Sequence, residues 1–183
     1  MLRAAVWGFL GIFLALPAAA GERPALWGFI HEVKIGAQVH DVPYMWSGFN
    51  REPYSVDLNI EMLLAPSVAL WGGRLRPAIG ATINFEGYTS KAYIDARWQR
   101  ELSRSIFYAL GIGLAVHDGE SFTSDPDRKQ LGRSWLFHPN AEVGYRLNEH
   151  QSVSIYYEHI SNASTAPKNH GLDTLGVRYG YRF

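Results

Sequence analysis

An eight-stranded antiparallel transmembrane β-barrel of the bacterial outer membrane is the all-β fold that this sequence predicts, and three observations predict it. Apolar side chains recur at every second position through eight segments, the intervening positions of those segments carry many charges of both signs, and of the links between them two are short while three are long and polar. Period two is the signature of a strand. A strand that is apolar on one face and charged on the other suits a barrel with lipid outside and a hydrogen-bonded lumen.

The first segment, Glu32 to His40, sets Val33, Ile35, Ala37 and Val39 against Glu32, Lys34, Gln38 and His40. The second sets Val56, Leu58, Ile60 and Met62 against Asp57, Asn59 and Glu61, and the third sets Leu75, Ile79, Ala81, Ile83 and Phe85 against Arg74, Arg76, Thr82 and Asn84. In the fourth, Ala92, Ile94, Ala96 and Trp98 oppose Tyr93, Asp95, Arg97 and Gln99; the fifth runs from Ile106 to Val116 with small residues and His117 on its second face. The sixth carries Phe137, Ala141, Val143, Tyr145 and Leu147 against His138, Asn140, Glu142 and Arg146. The seventh has Val153, Ile155 and Tyr157 opposite Ser152, Ser154, Tyr156 and Glu158, and the eighth has Leu175, Val177, Tyr179, Tyr181 and Phe183 opposite Thr174, Arg178 and Arg182. A soluble lipocalin-like barrel would place the apolar face inside. The second face would then be the solvated one, but the export signal, the terminal Phe183 and the aromatic clusters favour the membrane arrangement.

Composition narrows the function classes. The 183 residues hold 17 basic and 17 acidic side chains, a balance that gives no field for steering nucleic acid. No Lys/Arg run forms a polybasic membrane patch. The absence of cysteine removes disulfides, thiolate metal sites and a Cys nucleophile, leaving chemistry to Ser, His, carboxylates and amides. Residues 1–20 read as a secretory signal peptide: Arg3, an apolar run from Val6 to Leu16, then Pro17 and Ala18-Ala19-Ala20 before a cleavage site. Residues 21–183 then form the barrel domain.

The links at Leu102 to Ser105 and Asn148 to Gln151 are short, whereas Asp41 to Pro53, Asp118 to Arg133 and Asn162 to Leu172 are long and polar. Short turns belong to the periplasmic side and long loops to the exterior. Both ends of the barrel domain therefore lie in the periplasm. Pro77 and Pro139 each delete a ladder donor and are expected at bulges.

The alternation breaks in one place. The lipid-facing parity of the seventh segment continues onto His159 and Ser161, and that of the eighth begins with Asp173. These residues share one face at the outward ends of hairpin neighbours, His159 and Ser161 being about 6.5 Å apart along the strand. Two readings stand at this point. Polar side chains at a rim can simply meet lipid headgroups; alternatively, a hydroxyl, an imidazole to take its proton and a carboxylate to hold the imidazole tautomer make a nucleophilic triad.

The run Glu158-His159-Ile160-Ser161-Asn162-Ala163, followed twelve residues after the serine by an acid and then by the last strand, resembles the PagL-type lipid A 3-O-deacylases of Gram-negative outer membranes. The resemblance is sharp from Tyr156 to Phe183 and architectural elsewhere. It implies that His159 and Ser161 are catalytic, that Asp173 orients the imidazole, and that Asn162 and the backbone N–H near Ser164 form the oxyanion hole. The family acid is associated with Glu, so Asp173 is shorter by one methylene. The resemblance also implies lipid A of the outer leaflet as substrate, no metal or other cofactor, and a tendency to form homodimers.

Other residues have plainer roles. His40, His117 and His138 fall on the inward parity, where interior hydrogen bonding is expected ahead of a metal site because no ligand spacing supports one. Glu158 likewise points inward. Trp27, Phe29, Trp71 and Trp98 on one side, with Tyr44, Trp46, Tyr54, Tyr88 and Trp135 on the other, suggest interfacial girdles. His170, off the strand, ranks below His159 as a base. Residues and resemblance together imply an outer-membrane serine esterase that removes the 3-position acyl chain of lipid A, the substrate and position being given by the resemblance. The rivals are a non-enzymatic barrel for adhesion or envelope structure, and a phospholipase or acyltransferase on the same scaffold.

Overall fold

The computed structural model describes residues 28–183, so the expected signal peptide and Trp27 lie outside the described residues. Eight long strands form: β1 Ile30–Val39, β2 Val56–Leu64, β3 Gly73–Asn84, β4 Lys91–Glu101, β5 Ile106–His117, β6 Asn140–Arg146, β7 Gln151–Ile160 and β8 Leu172–Arg182. Two short pieces prolong them: Val68–Leu70 pairs with β3 beyond the end of β2, and Trp135–Phe137 pairs with β5 ahead of β6. Every strand is antiparallel to its successor. The last returns to the first, with Val33 opposite Tyr181 and Val39 opposite Leu175, so the sheet closes and no edge is left unpaired.

The two faces are distributed as in a membrane barrel and opposite to a soluble one. Ile35, Ile60, Ile94, Ile112, Val143, Ile155 and Val177 are exposed on the outer surface, while Lys34, Asp57, Glu61, Arg97, Glu142, Glu158 and Arg178 are buried in the lumen. An apolar belt facing water would forfeit about 25 cal/mol for each Å² left uncovered; lipid removes that cost.

The lumen is a packed ionic core. Glu142 accepts from Lys34 Nζ (2.7 Å), Arg178 Nη2 (2.6 Å), Ser154 Oγ (2.6 Å) and the Arg97 guanidinium. A second knot gathers Lys91, His138, Thr82 and Thr174 around Glu158. Glu142→Ala would leave three buried cations without their shared counterion, a loss on the order of 3–5 kcal/mol. The folded, heat-modifiable form of the detergent-solubilised protein is expected to disappear at a clearly lower temperature in that variant. Removing Glu101, a more exposed partner of Arg182 and Arg146, is expected to cost much less, since Arg146 keeps its pair with Glu32.

Pro77 and Pro139 are accommodated differently. At Pro77 the irregularity lies in the neighbouring strand: pairing of β2 with β3 ends at Leu63↔Ala78, resumes at Val68↔Leu75, and residues 64–67 bow out between them. At Pro139 there is no bulge, contrary to expectation. The register from Phe137↔Leu114 to Asn140↔Gly111 is continuous, as is that from Phe137↔Ser161 to Asn140↔Glu158. His159 N–H donates to Pro139 O (2.9 Å), so the one bond that proline deletes is the reciprocal one to the carbonyl of His159.

At the outer end, Tyr93, Ala115, Leu131, Leu136, Ile160 and Leu172 form a buried apolar cluster inside the barrel. Ile160 and Leu172 are inward-facing neighbours of His159 and Asp173, so the backbone carrying those two residues is fixed from within.

Candidate active site

Strand pairing alone brings the predicted residues into rows on the outer face. Asp173 lies directly opposite His159, which lies opposite Pro139; one row further out, Ser161 is bridged to Phe137. His159 Nδ1 and Asp173 Oδ1 are 2.7 Å apart, so the aspartate reaches the imidazole despite its short side chain. Gly171, with φ +64°, makes room for this: a Cβ there would sit 2.8 Å from His159 Cε1.

The carboxylate of Asp173 is fully engaged. Oδ1 also accepts from Tyr157 Oη at 2.6 Å, and Oδ2 accepts from Ser47 N–H at 2.7 Å and Ser47 Oγ at 2.5 Å. Four donors fill the acceptor positions of an ionised carboxylate. The imidazole then carries its proton on Nδ1 and presents Nε2 as a base. No hydrogen bond joins Ser161 Oγ to His159; the half-buried serine stands on the same face two residues on, and such contacts commonly tighten when substrate binds.

Ser47 and its neighbour Trp46 were not found by sequence reasoning. They belong to the first exterior loop, residues 40–55, which folds over the dyad. Trp46 stacks on His159 with ring centroids 4.8 Å apart and planes 10° from parallel, so it is part of the site and not of a girdle. His159 and Asp173 consequently lie on the lipid-facing parity yet are 3% and 0% exposed. The loop is anchored by Val42 N–H to Asp173 O (2.9 Å) and by the buried Glu52. Glu52 bonds His40 Nε2 (2.8 Å), Thr89 Oγ1 (2.9 Å) and Lys129 N–H (3.2 Å), tying three loops together. Burial alone would lower the His40 pKa, but its bonds to Asp57 and Glu52 prevail and hold it at about 9. Burial likewise opposes ionisation of Glu52, yet His40 and Thr89 draw it down to about 2. The pair is therefore charged throughout the neutral range.

Beyond Ser161 the chain turns tightly. Ala163 (φ 50°) and Ser164 (φ 62°) are both left-handed, and Thr165 N–H closes on Asn162 O at 3.0 Å, the pattern of a type I′ turn. Two consecutive non-glycine residues in that region cost roughly 1–2 kcal/mol each, strain of a kind concentrated at functional sites. The N–H groups of Ala163 and Ser164 have no acceptor among the described residues. Asn162 is placed otherwise than the oxyanion expectation suggests. Its side chain is buried, with Nδ2 donating to Leu131 O (2.8 Å) and Lys168 O (2.5 Å), and its N–H bonds Asn169 Oδ1 (2.9 Å). The free donors beside the serine are thus backbone groups of the turn.

The remaining candidates sit apart. His138 lies in the lumen between Asp95 (3.0 Å) and Glu158 (3.1 Å), His40 lies between Asp57 and Glu52, and His117 Nε2 contacts Arg133 O at 2.6 Å. His170 Nδ1 accepts from Gln130 N–H (3.0 Å) and does not join the dyad.

Comparison with known proteins places these features in context. The family model described as "Lipid A 3-O-deacylase (PagL)" matches residues 43–182. A "Lipid A deacylase PagL" of Bordetella bronchiseptica is 32% identical over 77 residues, a stretch covering 42% of this chain and 41% of the relative. Among solved structures, the outer membrane enzyme PagL superposes with a TM-score of 0.60 at 21% identity, covering 82% of this chain and 99% of that one.

Proposed function

The chain belongs to the PagL family of lipid A 3-O-deacylases and is an outer-membrane β-barrel; from that premise we propose that it is an esterase hydrolysing the ester-linked 3-hydroxyacyl chain at the 3-position of lipid A. One observation carries this reading: a buried histidine–carboxylate pair, 2.7 Å apart, stands on the lipid-facing side of the barrel beside a serine. A barrel that only anchored or adhered would gain nothing from such a cluster, because polar groups on that face cost stability.

In the proposed mechanism, His159 Nε2 removes the proton of Ser161 Oγ as the oxygen attacks the ester carbonyl. Asp173 keeps Nδ1 protonated and stabilises the imidazolium. The negative charge on the carbonyl oxygen is received by N–H groups of the Ala163-Ser164 turn; a donor of this kind is worth about 3–4 kcal/mol. Asn162 supports that turn from below, and by family resemblance it is itself a candidate donor. Collapse of the tetrahedral adduct breaks the bond from acyl carbon to sugar oxygen, and His159 returns its proton to that oxygen. Water, activated by the same imidazole, then releases the 3-hydroxy fatty acid and restores Ser161.

Mass spectrometry of lipid A from Gram-negative cells expressing the protein tests the reading. Lipid A is expected to lose the mass of one 3-hydroxyacyl group, with phospholipids unchanged. Loss of fatty acid from phospholipid with lipid A intact would assign a phospholipase, and no change in either would leave the non-enzymatic barrel.

A further inference from the structure

Taking the lipid A reading as its basis, we propose that Arg133 is an anion subsite of this active site, gripping a phosphate group on the substrate's saccharide headgroup while Ser161 attacks the ester. The placement follows from the strand that flanks the nucleophile. Phe137 and Ser161 exchange backbone hydrogen bonds of 2.8 and 3.2 Å, so their side chains are adjacent on the outer face. Two residues further out, Trp135 meets Phe137 edge-on at 5.8 Å, and the Arg133 guanidinium lies 5.5 Å from the Trp135 ring. Outward from the serine come a ring, a second ring and then a cation, the last on the order of 10 Å away along the strand direction. Acyl chains match the first part of that path and a charged headgroup matches its end.

The guanidinium is held but not neutralised. Arg133 Nη2 donates to Thr165 O at 2.6 Å, which fixes the fork beside the turn that follows Ser161. Among the described residues Arg133 takes part in no ion pair, and its buried Nε has no hydrogen-bond partner. In contrast, its neighbour Lys129 is paired with Asp41 at 3.1 Å. The backbone of Lys168 lies beside the same segment. A Cβ on Gly132 would lie 2.0 Å from Lys168 O, and the Asn162 amide bonds the carbonyls of Leu131 and Lys168. Residues 128–137 and 161–171 contain Arg128, Arg133 and Lys168 besides the paired Lys129 and no Asp or Glu; the acids of the same loop, Asp118, Glu120, Asp125 and Asp127, precede them. Burial, followed by the field of Arg51, Lys129 and Lys168, holds the His170 imidazole below its ordinary pKa, in keeping with a positive rim. A planar fork with unused donors is suited to phosphate oxygens.

Binding by the catalytically silent S161A protein, read in detergent by ligand-dependent tryptophan fluorescence, separates this inference from the question of turnover. The probes are bisphosphorylated lipid A and the same lipid after enzymatic dephosphorylation. Adding Arg133→Ala is expected to weaken binding of the phosphorylated lipid at least tenfold and to leave the dephosphorylated lipid within twofold; Arg133→Lys should recover part of the difference. Equal weakening for both lipids would mean that Arg133 acts only through its bond to Thr165 and would overturn the subsite, as would no change for either. Competition by millimolar inorganic phosphate as effective as that by the lipid would overturn the assignment of a lipid headgroup as the occupant. Failure of the Ser161-containing protein to deacylate would instead count against the esterase reading, whatever these binding ratios.

Discussion

Ser161→Ala and His159→Ala each lower deacylation of lipid A by on the order of 10⁴-fold or more, and the double variant falls no further than the worse of the two. That is the expected result if the hydroxyl and the imidazole act as one unit, since removing either disables the other. Both side chains lie on the outer face, where no lumen ion pair is disturbed, so the variants should retain the compact heat-modifiable form on electrophoresis. Release of 3-hydroxy fatty acid, followed by mass spectrometry, provides the rate. Partial losses that multiply in the double variant would show that the two residues act separately and that the nucleophile has been misassigned.

Asp173→Asn is the second large effect, expected to reduce turnover by about 10⁴-fold, the scale associated with an imidazole left in the wrong tautomer. The amide has one acceptor oxygen where the carboxylate offers two, against four donors from His159, Tyr157 and Ser47. Ser47→Ala removes only the hydroxyl contact and keeps the backbone one, so a loss nearer tenfold is expected, with Ser47→Thr recovering most of it. If Asp173→Asn and Ser47→Ala proved equally mild, the acid would be a structural fastening and not a partner in the chemistry.

Most of the barrel was legible because every strand has one apolar face and an alternation that cannot slip by one residue without exposing charge to lipid. The same rule exposed His159, Ser161 and Asp173 as exceptions. It could not foresee Trp46 and Ser47, because a loop has no period and its landing place is fixed by Val42, Glu52 and Lys129 contacting residues remote in sequence. Nor could it foresee that Asn162 would fasten two loops, since an amide next to a serine looks the same whether it faces a substrate or a carbonyl. Pro139 shows the limit from the other side. A deleted donor suggests a bulge only if the register has to change, and here the continuous ladder on both sides absorbs the loss.

The placement of the first exterior loop across the last hairpin has a consequence for biogenesis. Trp46 and Ser47 lie between β1 and β2, whereas His159 and Asp173 lie on β7 and β8, and these two ends of the fold meet at the β1–β8 seam. Until that seam zips, the aspartate lacks half of its donors and the imidazole lacks its stacked cover. On the proposed mechanism, a half-inserted chain would therefore be catalytically latent. On that mechanism, hydrolytic competence would depend on closure of the barrel at that seam.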